Sequence, residues 1–221
     1  MKVLIIGGNG KIGRILAKKL STSEQHQPTA FIRKEEQRAY FDEIRVPVIV
    51  ESLEQSEEVI GNAMKGFDGV VFTAGSGGKT GFDKTLEIDL DGAVKTIRAA
   101  RAHQVKRFIM VSAAHADDRP YWKQSGIKPY YIAKHYADME LSRSGLDYTI
   151  LRPVRLTDDS EVGKVKMETD PNQLHHEIPR VAVAETIATV LDDAATFGKT
   201  IEMSSGEHSI AEALKRVCAQ N

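Results

Sequence analysis

One cysteine, Cys218, stands in a chain of 221 residues. A lone thiol cannot close an internal disulfide and has no second cysteine for a zinc site, so a reducing, cytoplasmic setting is expected. An excess of one charge is also missing, with 30 basic residues against 31 acidic ones and a net charge of −1. No overall field draws in nucleic acid or an anionic membrane, and neither is expected as a partner. Long hydrophobic runs are absent too. After Met1-Lys2 only four apolar residues precede Gly7, too few for a secretion signal or a membrane span. No Pro/Gly/Ser linker, repeat or low-complexity tract divides the chain, so one soluble domain over 1–221 is expected.

What is present is an alternation. Val3-Leu4-Ile5-Ile6 is an unbroken, mostly β-branched run, the pattern of a strand buried on both faces. Ile12, Ile15, Leu16 and Leu20 follow at helical spacing. Further strand-like runs fall at Thr29–Arg33, Val46–Val50, Gly69–Thr73, Arg107–Val111, Tyr148–Leu151 and Lys199–Met203, with helical patterns between most of them. Strands separated by helices imply right-handed crossovers and an α/β, doubly wound parallel sheet. Two stretches break the rhythm: Ala114–Pro129, with the only tryptophan, Trp122, and Arg155–Pro179. Both should leave the carboxyl ends of strands, where such sheets bind ligands. The second is expected to be an irregular, small C-terminal extension on the substrate side.

Between the first strand and the first helix lies Gly7-Gly8-Asn9-Gly10-Lys11-Ile12-Gly13. Gly7, Gly10 and Gly13 fall in a G-x-x-G-x-x-G frame. The first glycine permits a tight turn, the second lets backbone approach a pyrophosphate, and the third allows close helix–strand packing. The helix N-terminus then offers free N–H groups to the phosphates. In this setting the turn predicts a dinucleotide-binding Rossmann fold. Twenty residues beyond Gly13 stands Arg33, with Lys34 beside it and no acid at the strand end. An acid there would bind ribose hydroxyls, whereas arginine suits a 2′-phosphate, so the expected cofactor is NADP(H).

With those residues in place, the chain resembles the short-chain dehydrogenase/reductase superfamily, most closely its atypical branch of small NAD(P)H-binding, epimerase-like proteins. The likeness covers nearly the whole chain. It rests on the glycine turn, Asp68-Gly69-Val70-Val71-Phe72-Thr73-Ala74-Gly75, Arg107-Phe108-Ile109-Met110-Val111-Ser112, Tyr130-x-x-x-Lys134 and Gly145–Pro153. The resemblance implies that Thr73, Ala74 and Gly75 pass beneath the ribose and pyrophosphate. It implies too that Ser52 and Leu53 border the adenine, and that Pro153 and Val154 lie near the nicotinamide. Ser52 stands where the family usually has aspartate, and Val154 where glycine is common.

Tyr130 and Lys134, four apart on a helix, share one face. In the family the tyrosine exchanges a proton with the substrate oxygen. A phenol of pKa about 10 needs a neighbouring cation to favour phenolate, and Lys134 could supply it while also holding the ribose. The family's serine pair reads Ser112-Ala113 here. Alanine offers no donor, which leaves Ser112 as the candidate hydroxyl. Asp89 replaces the family's asparagine and can accept a hydrogen bond from a lysine or a water.

Other signals are weaker. His175 and His176 are adjacent, not spaced for a helical zinc motif, and no metal is expected. Lys164–Glu168 alternates like an exposed strand, and Gly75–Thr80 reads as a loop beside the dinucleotide. Ile210, Leu214 and Val217 form a core stripe on a terminal helix. The leading reading is an NADP(H)-dependent oxidoreductase acting on an unknown small carbonyl or alcohol. A redox-sensing binding protein with little chemistry, and a nucleotide-sugar epimerase, stay open beside it.

Overall fold

The computed structural model describes residues 1–78 and 80–220. Lys79, in the loop read as bordering the dinucleotide, lies outside them, as does Asn221. The strands are β1 (Lys2–Ile6), β2 (Gln27–Ile32), β3 (Val48–Val50), β4 (Gly69–Phe72), β5 (Arg107–Val111), β6 (Asp147–Pro153), β7 (Arg155–Thr157), β8 (Val165–Glu168), β9 (Glu177–Pro179) and β10 (Lys199–Ser205). The first helices are α1 (Lys11–Leu20), α2 (Arg38–Glu43) and α3 (Glu57–Asn62). Next, α4 (Phe82–Lys84) runs through a π-helical stretch, Thr85–Gly92, into α5 (Ala93–Ala102). The last four are α6 (Arg119–Gln124), α7 (Lys128–Ser142), α8 (Arg180–Val190) and α9 (Ile210–Cys218).

Eight strands form one sheet in the order β3-β2-β1-β4-β5-β6-β10-β8. Every neighbouring pair is parallel except the last, β10 with β8. This is the Rossmann-like α/β architecture that the alternation predicts. Val3, Leu4, Ile5 and Ile6 are all fully buried, each contributing on the order of 2 kcal/mol. Alternate side chains feed two separate cores: Val3 and Ile5 one face, Leu4 and Ile6 the other. A run without polar residues is what a strand covered on both sides requires. The order reverses between β1 and β4, so the loops after these two strands part and leave a crevice at their carboxyl ends. Among the described residues no helix is long and apolar enough to cross a membrane.

The segment 155–179, expected to be irregular, is ordered by pairing. Strands β7 and β9 make a separate parallel pair. The alternating Lys164–Glu168 stretch supplies the antiparallel edge strand β8, with Val165 and Met167 buried. The other irregular stretch carries α6, capped by Asp118, with Trp122 buried. Alternation over only four residues gave too short a pattern to place β8 in the main sheet.

Arg107 opens β5 and is buried. Its guanidinium donates to the carbonyls of Val190 (2.6 Å) and Leu191 (3.1 Å) at the end of α8. It also donates to Thr149 Oγ1 at 2.7 Å. Burial pulls its pKa down to about 10, so it stays charged at neutral pH and fixes the negative end of α8 against the sheet.

Candidate functional site

The glycine turn is shaped by backbone contact. Gly7 has φ +79°, and a Cβ there would sit 2.6 Å from the Ala74 nitrogen. A Cβ at Gly13 would sit 2.5 Å from the Gly7 carbonyl oxygen. Gly10 differs. It is exposed, has φ −67°, and a Cβ would meet only the Gly7 oxygen at 3.1 Å. The fold therefore demands glycine at 7 and 13, whereas Gly10 keeps a bare, exposed face. Helix α1 starts there without a side-chain cap, so its first N–H groups have no intrahelical acceptor. These features fit a dinucleotide pyrophosphate.

A cavity of about 1140 Å³ opens beside this turn. Of the cofactor residues expected from sequence, Lys11, Ile12, Thr73, Ala74 and Gly75 line one part and Pro153 and Val154 another. Tyr130, Lys134, Ser112 and Asp89 line the same cavity. Gly7, Gly8, Asn9, Gly10 and Gly13 form the turn at its edge. Arg33, Lys34, Ser52 and Leu53 lie outside its lining, toward the β2 and β3 ends. The Leu53 side chain is buried and packs on Gly92, so only its backbone is left to face a nucleotide. On the far rim, Asp158 bridges Lys11 of the turn and Arg180 of α8.

Tyr130 and Lys134 project from one face of α7. The Lys134 ammonium is 5.6 Å from the Tyr130 ring centre and 3.1 Å from Asp89 Oδ1. It also donates to the Val111 carbonyl at 3.5 Å. Burial alone would lower the Lys134 pKa, but Asp89, Tyr130 and Asp138 outweigh it and push it up. Asp89 is itself fixed, its Oδ2 accepting the Ser76 N–H at 2.9 Å. A Cβ at Gly75 would press to 3.1 Å of Asp89 Oδ1, which accounts for that glycine.

The phenol departs from expectation. Loss of hydration raises the Tyr130 pKa, Lys134 pulls it down, and Asp89 and Asp138 push it up again, for a net rise. Burial leads, and with Asp89 and Asp138 it outweighs Lys134, so Tyr130 is held as a protonated donor rather than a phenolate. Ser112 is similarly committed, its hydroxyl donating to Asp138 Oδ2 at 2.8 Å. Ala113 is buried against Trp122 and Tyr131.

Beneath Ser112 lies a cluster that the sequence reading missed. Arg152 donates to Asp138 at 2.8 Å and to Glu202 at 3.2 Å, and it pairs with Asp117 at 2.7 Å. The signal was there as one arginine directly after the Tyr148–Leu151 run and one glutamate inside the Lys199–Met203 run. Burial pushes Glu202 up to about 7 despite Arg152. The folded protein thus holds this proton more tightly than the unfolded chain. Stability should fall as pH rises from about 4.5 to about 7, by on the order of 3 kcal/mol. Glu202→Gln removes that slope. Thermal melts should show the variant gaining on the parent at pH 8 relative to pH 5; a difference independent of pH would refute the assignment.

Residues 7–194 match the family described as NAD(P)H-binding. The chain belongs to this family. Within it, the chain is 45% identical over 217 residues to the uncharacterized sugar epimerase YhfK of Bacillus subtilis, covering 98% of this chain and 100% of that one. The crystal structure of the oxidoreductase ylbE from Lactococcus lactis superposes with a TM-score of 0.87 at 33% identity, covering 100% of this chain and 98% of that one. The matched residues include the glycine turn and β4, and the family's ligand class is NAD(P)H.

Proposed function

We propose that this chain is one dinucleotide-binding domain acting as an NADP(H)-dependent oxidoreductase on a small carbonyl or alcohol. The observation that carries it is the placement of Tyr130, Lys134 and Asp89 on one cavity wall that continues from the glycine turn. The turn and the N-terminus of α1 hold the pyrophosphate. Thr73, Ala74 and Gly75 border the sugar, and Pro153 and Val154 border the nicotinamide. When bound, NADPH supplies the hydride. Tyr130 gives its proton to the substrate oxygen, and Lys134, held by Asp89, sets the phenol's field and holds the ribose.

A second reading is favoured by one pair of facts. Ser112 has no proton to spare and Ala113 has none at all, so the carbonyl-polarising donor of the wider superfamily is missing. A protein that binds NADP(H) and reports its redox state through a partner would tolerate that loss. Sugar epimerisation is less well supported, because among the described residues the cavity wall that follows β6 is made of short pieces, β7 and the 171–176 stretch among them, with no separate substrate domain.

Cofactor choice rests on Arg33 and Lys34, both exposed. Their backbone N–H groups are held by Gln37 Oε1 at 3.1 and 3.2 Å. NADPH should bind several-fold tighter than NADH, and Arg33→Asp should erase or invert the gap. A charge-assisted bond to phosphate is worth about 1.5–3 kcal/mol, well within calorimetric reach. Equal affinities in the unmodified protein would defeat the NADP(H) assignment.

A further inference from the structure

The glycine turn holds a second guanidinium with no role so far. Arg14, the residue after Gly13, turns back along α1 so that its Nε and Nη2 both donate to Asn9 Oδ1, at 3.0 and 2.6 Å. Its guanidinium lies 4.5 Å from the centre of the Tyr40 ring. The Tyr40 hydroxyl donates to the Arg14 carbonyl at 3.2 Å. Tyr40 belongs to α2, the first α-helix after β2, so Arg14 ties the turn to the element that follows Arg33.

The turn is also seated on β2 itself. The Gly8 N–H donates to the Phe31 carbonyl at 3.0 Å, and a Cβ at Gly8 would come within 2.8 Å of the Ala30 side chain. Arg33 comes two residues after Phe31. Arg14 thus stands beside the turn that β2 carries, and the end of β2 leads into Arg33 and Lys34. Among the described residues none of the three enters an ion pair, and the neighbouring acid Glu35 is bound to Arg38. Glu36 follows in sequence and Glu51 stands at the neighbouring end of β3, so the corner is mixed in charge, and a bound dianion would find its direct partners among the three cations.

Arg14 suits that dianion better than its exposed neighbours do. It is half-buried and held on two sides, so little side-chain freedom is lost on binding. With Nε and one Nη2 proton on Asn9, the Nη1 protons remain to donate. A fixed planar fork matches phosphate geometry where a lysine offers only a point charge.

We propose that Arg14 is a specificity-determining residue for the 2′-phosphate of NADP(H), with Asn9 and Tyr40 holding its guanidinium toward the Arg33 corner. This rests on the NADP(H) reading above and adds to it a residue that the 20-residue offset from Gly13 could not find. The alternative is that Arg14 merely braces the turn, in which case it serves NADPH and NADH alike.

Calorimetric titration of Arg14→Met with each dinucleotide separates the two. Methionine keeps an unbranched stem against Tyr40 and removes the charge. NADPH should bind about 10- to 100-fold more weakly, the loss of one or two charge-assisted bonds, with NADH within about two-fold of the parent. Arg14→Lys, which keeps charge but loses the fork, should fall between, and it decides the matter if the methionine variant melts early. Equal losses for both dinucleotides, or no loss for NADPH, would overturn the proposal. An unmodified protein that does not prefer NADPH would instead defeat the cofactor reading, whatever the variants do.

Discussion

Tyr130→Phe should abolish NADPH-dependent carbonyl reduction while leaving NADPH affinity within about two-fold of the parent. The substitution removes one hydroxyl and keeps the ring that packs on Tyr131 at 5.5 Å. Positioned proton transfer contributes about 10²–10⁴-fold to a rate, so turnover of a reactive quinone or diketone should drop by that range. The raised pKa of the phenol adds a direction. A group that stays protonated through neutral pH serves reduction without a pH penalty. Alcohol oxidation, which needs the phenolate, should climb with pH over the alkaline range. Stopped-flow rates with NADPH, and with NADP⁺ and an alcohol, test both halves. Turnover that survives Tyr130→Phe would remove the tyrosine from the chemistry. If the unmodified protein binds NADPH tightly yet turns over none of a broad carbonyl panel, the binding-protein reading gains.

Gly10→Val should cost at least about 100-fold in dinucleotide affinity with the fold intact, a loss of roughly 3 kcal/mol. The contrast with Gly13 makes this test sharp. Valine at 13 would be driven into the Gly7 and Gly8 backbone, with contacts of 2.5–2.8 Å for the Cβ alone. Valine at 10 meets a single oxygen at 3.1 Å, and the extended backbone there, φ −67° and ψ 162°, suits a β-branched residue. A small shift of the turn absorbs it, but the branched methyls then occupy the space through which the pyrophosphate would approach. Circular dichroism and melting temperature should be near the parent's for Gly10→Val and degraded for Gly13→Val. Normal NADPH binding by Gly10→Val would mean that the phosphates lie elsewhere.

Periodicity made the sheet legible because burial on both faces leaves no room for polar residues. Val3–Ile6 and Arg107–Val111 could be read within a residue of their ends for this reason. Tyr148–Leu151 was cut short because Arg152 looked like the end of an apolar run, when it is the buried centre of an ion cluster. A charge in a strand signals an end only if no partner waits inside, and here Asp138 comes from the preceding helix α7 and Glu202 from β10, 50 residues on. The candidate site divides the same way. Tyr130 and Lys134 were visible because a helix converts a spacing of four into a shared face. The protonation of Tyr130 was not, since it depends first on burial in the assembled cavity and then on Asp89 and Asp138. Arg14 escaped notice because its partner Asn9 and its stacking ring Tyr40 meet only once β1, α1 and α2 are assembled.

The order in which strands are made differs from the order in which they lie. β10 is the last strand in sequence, yet it lies inside the sheet, between β6 and the edge strand β8. β8 leaves the ribosome first and has no place in the sheet until β10 arrives. β6 meanwhile shows an open edge on the side where β10 will pair. During synthesis the face of the sheet that α3 and α5 cover can set early, whereas the other face, where α1 packs with α8 and α9 on one core, must wait for nearly the whole chain. Until β10 arrives, β6 lacks its partner on that side and β8 has no strand to pair with, so both present open edges through that interval.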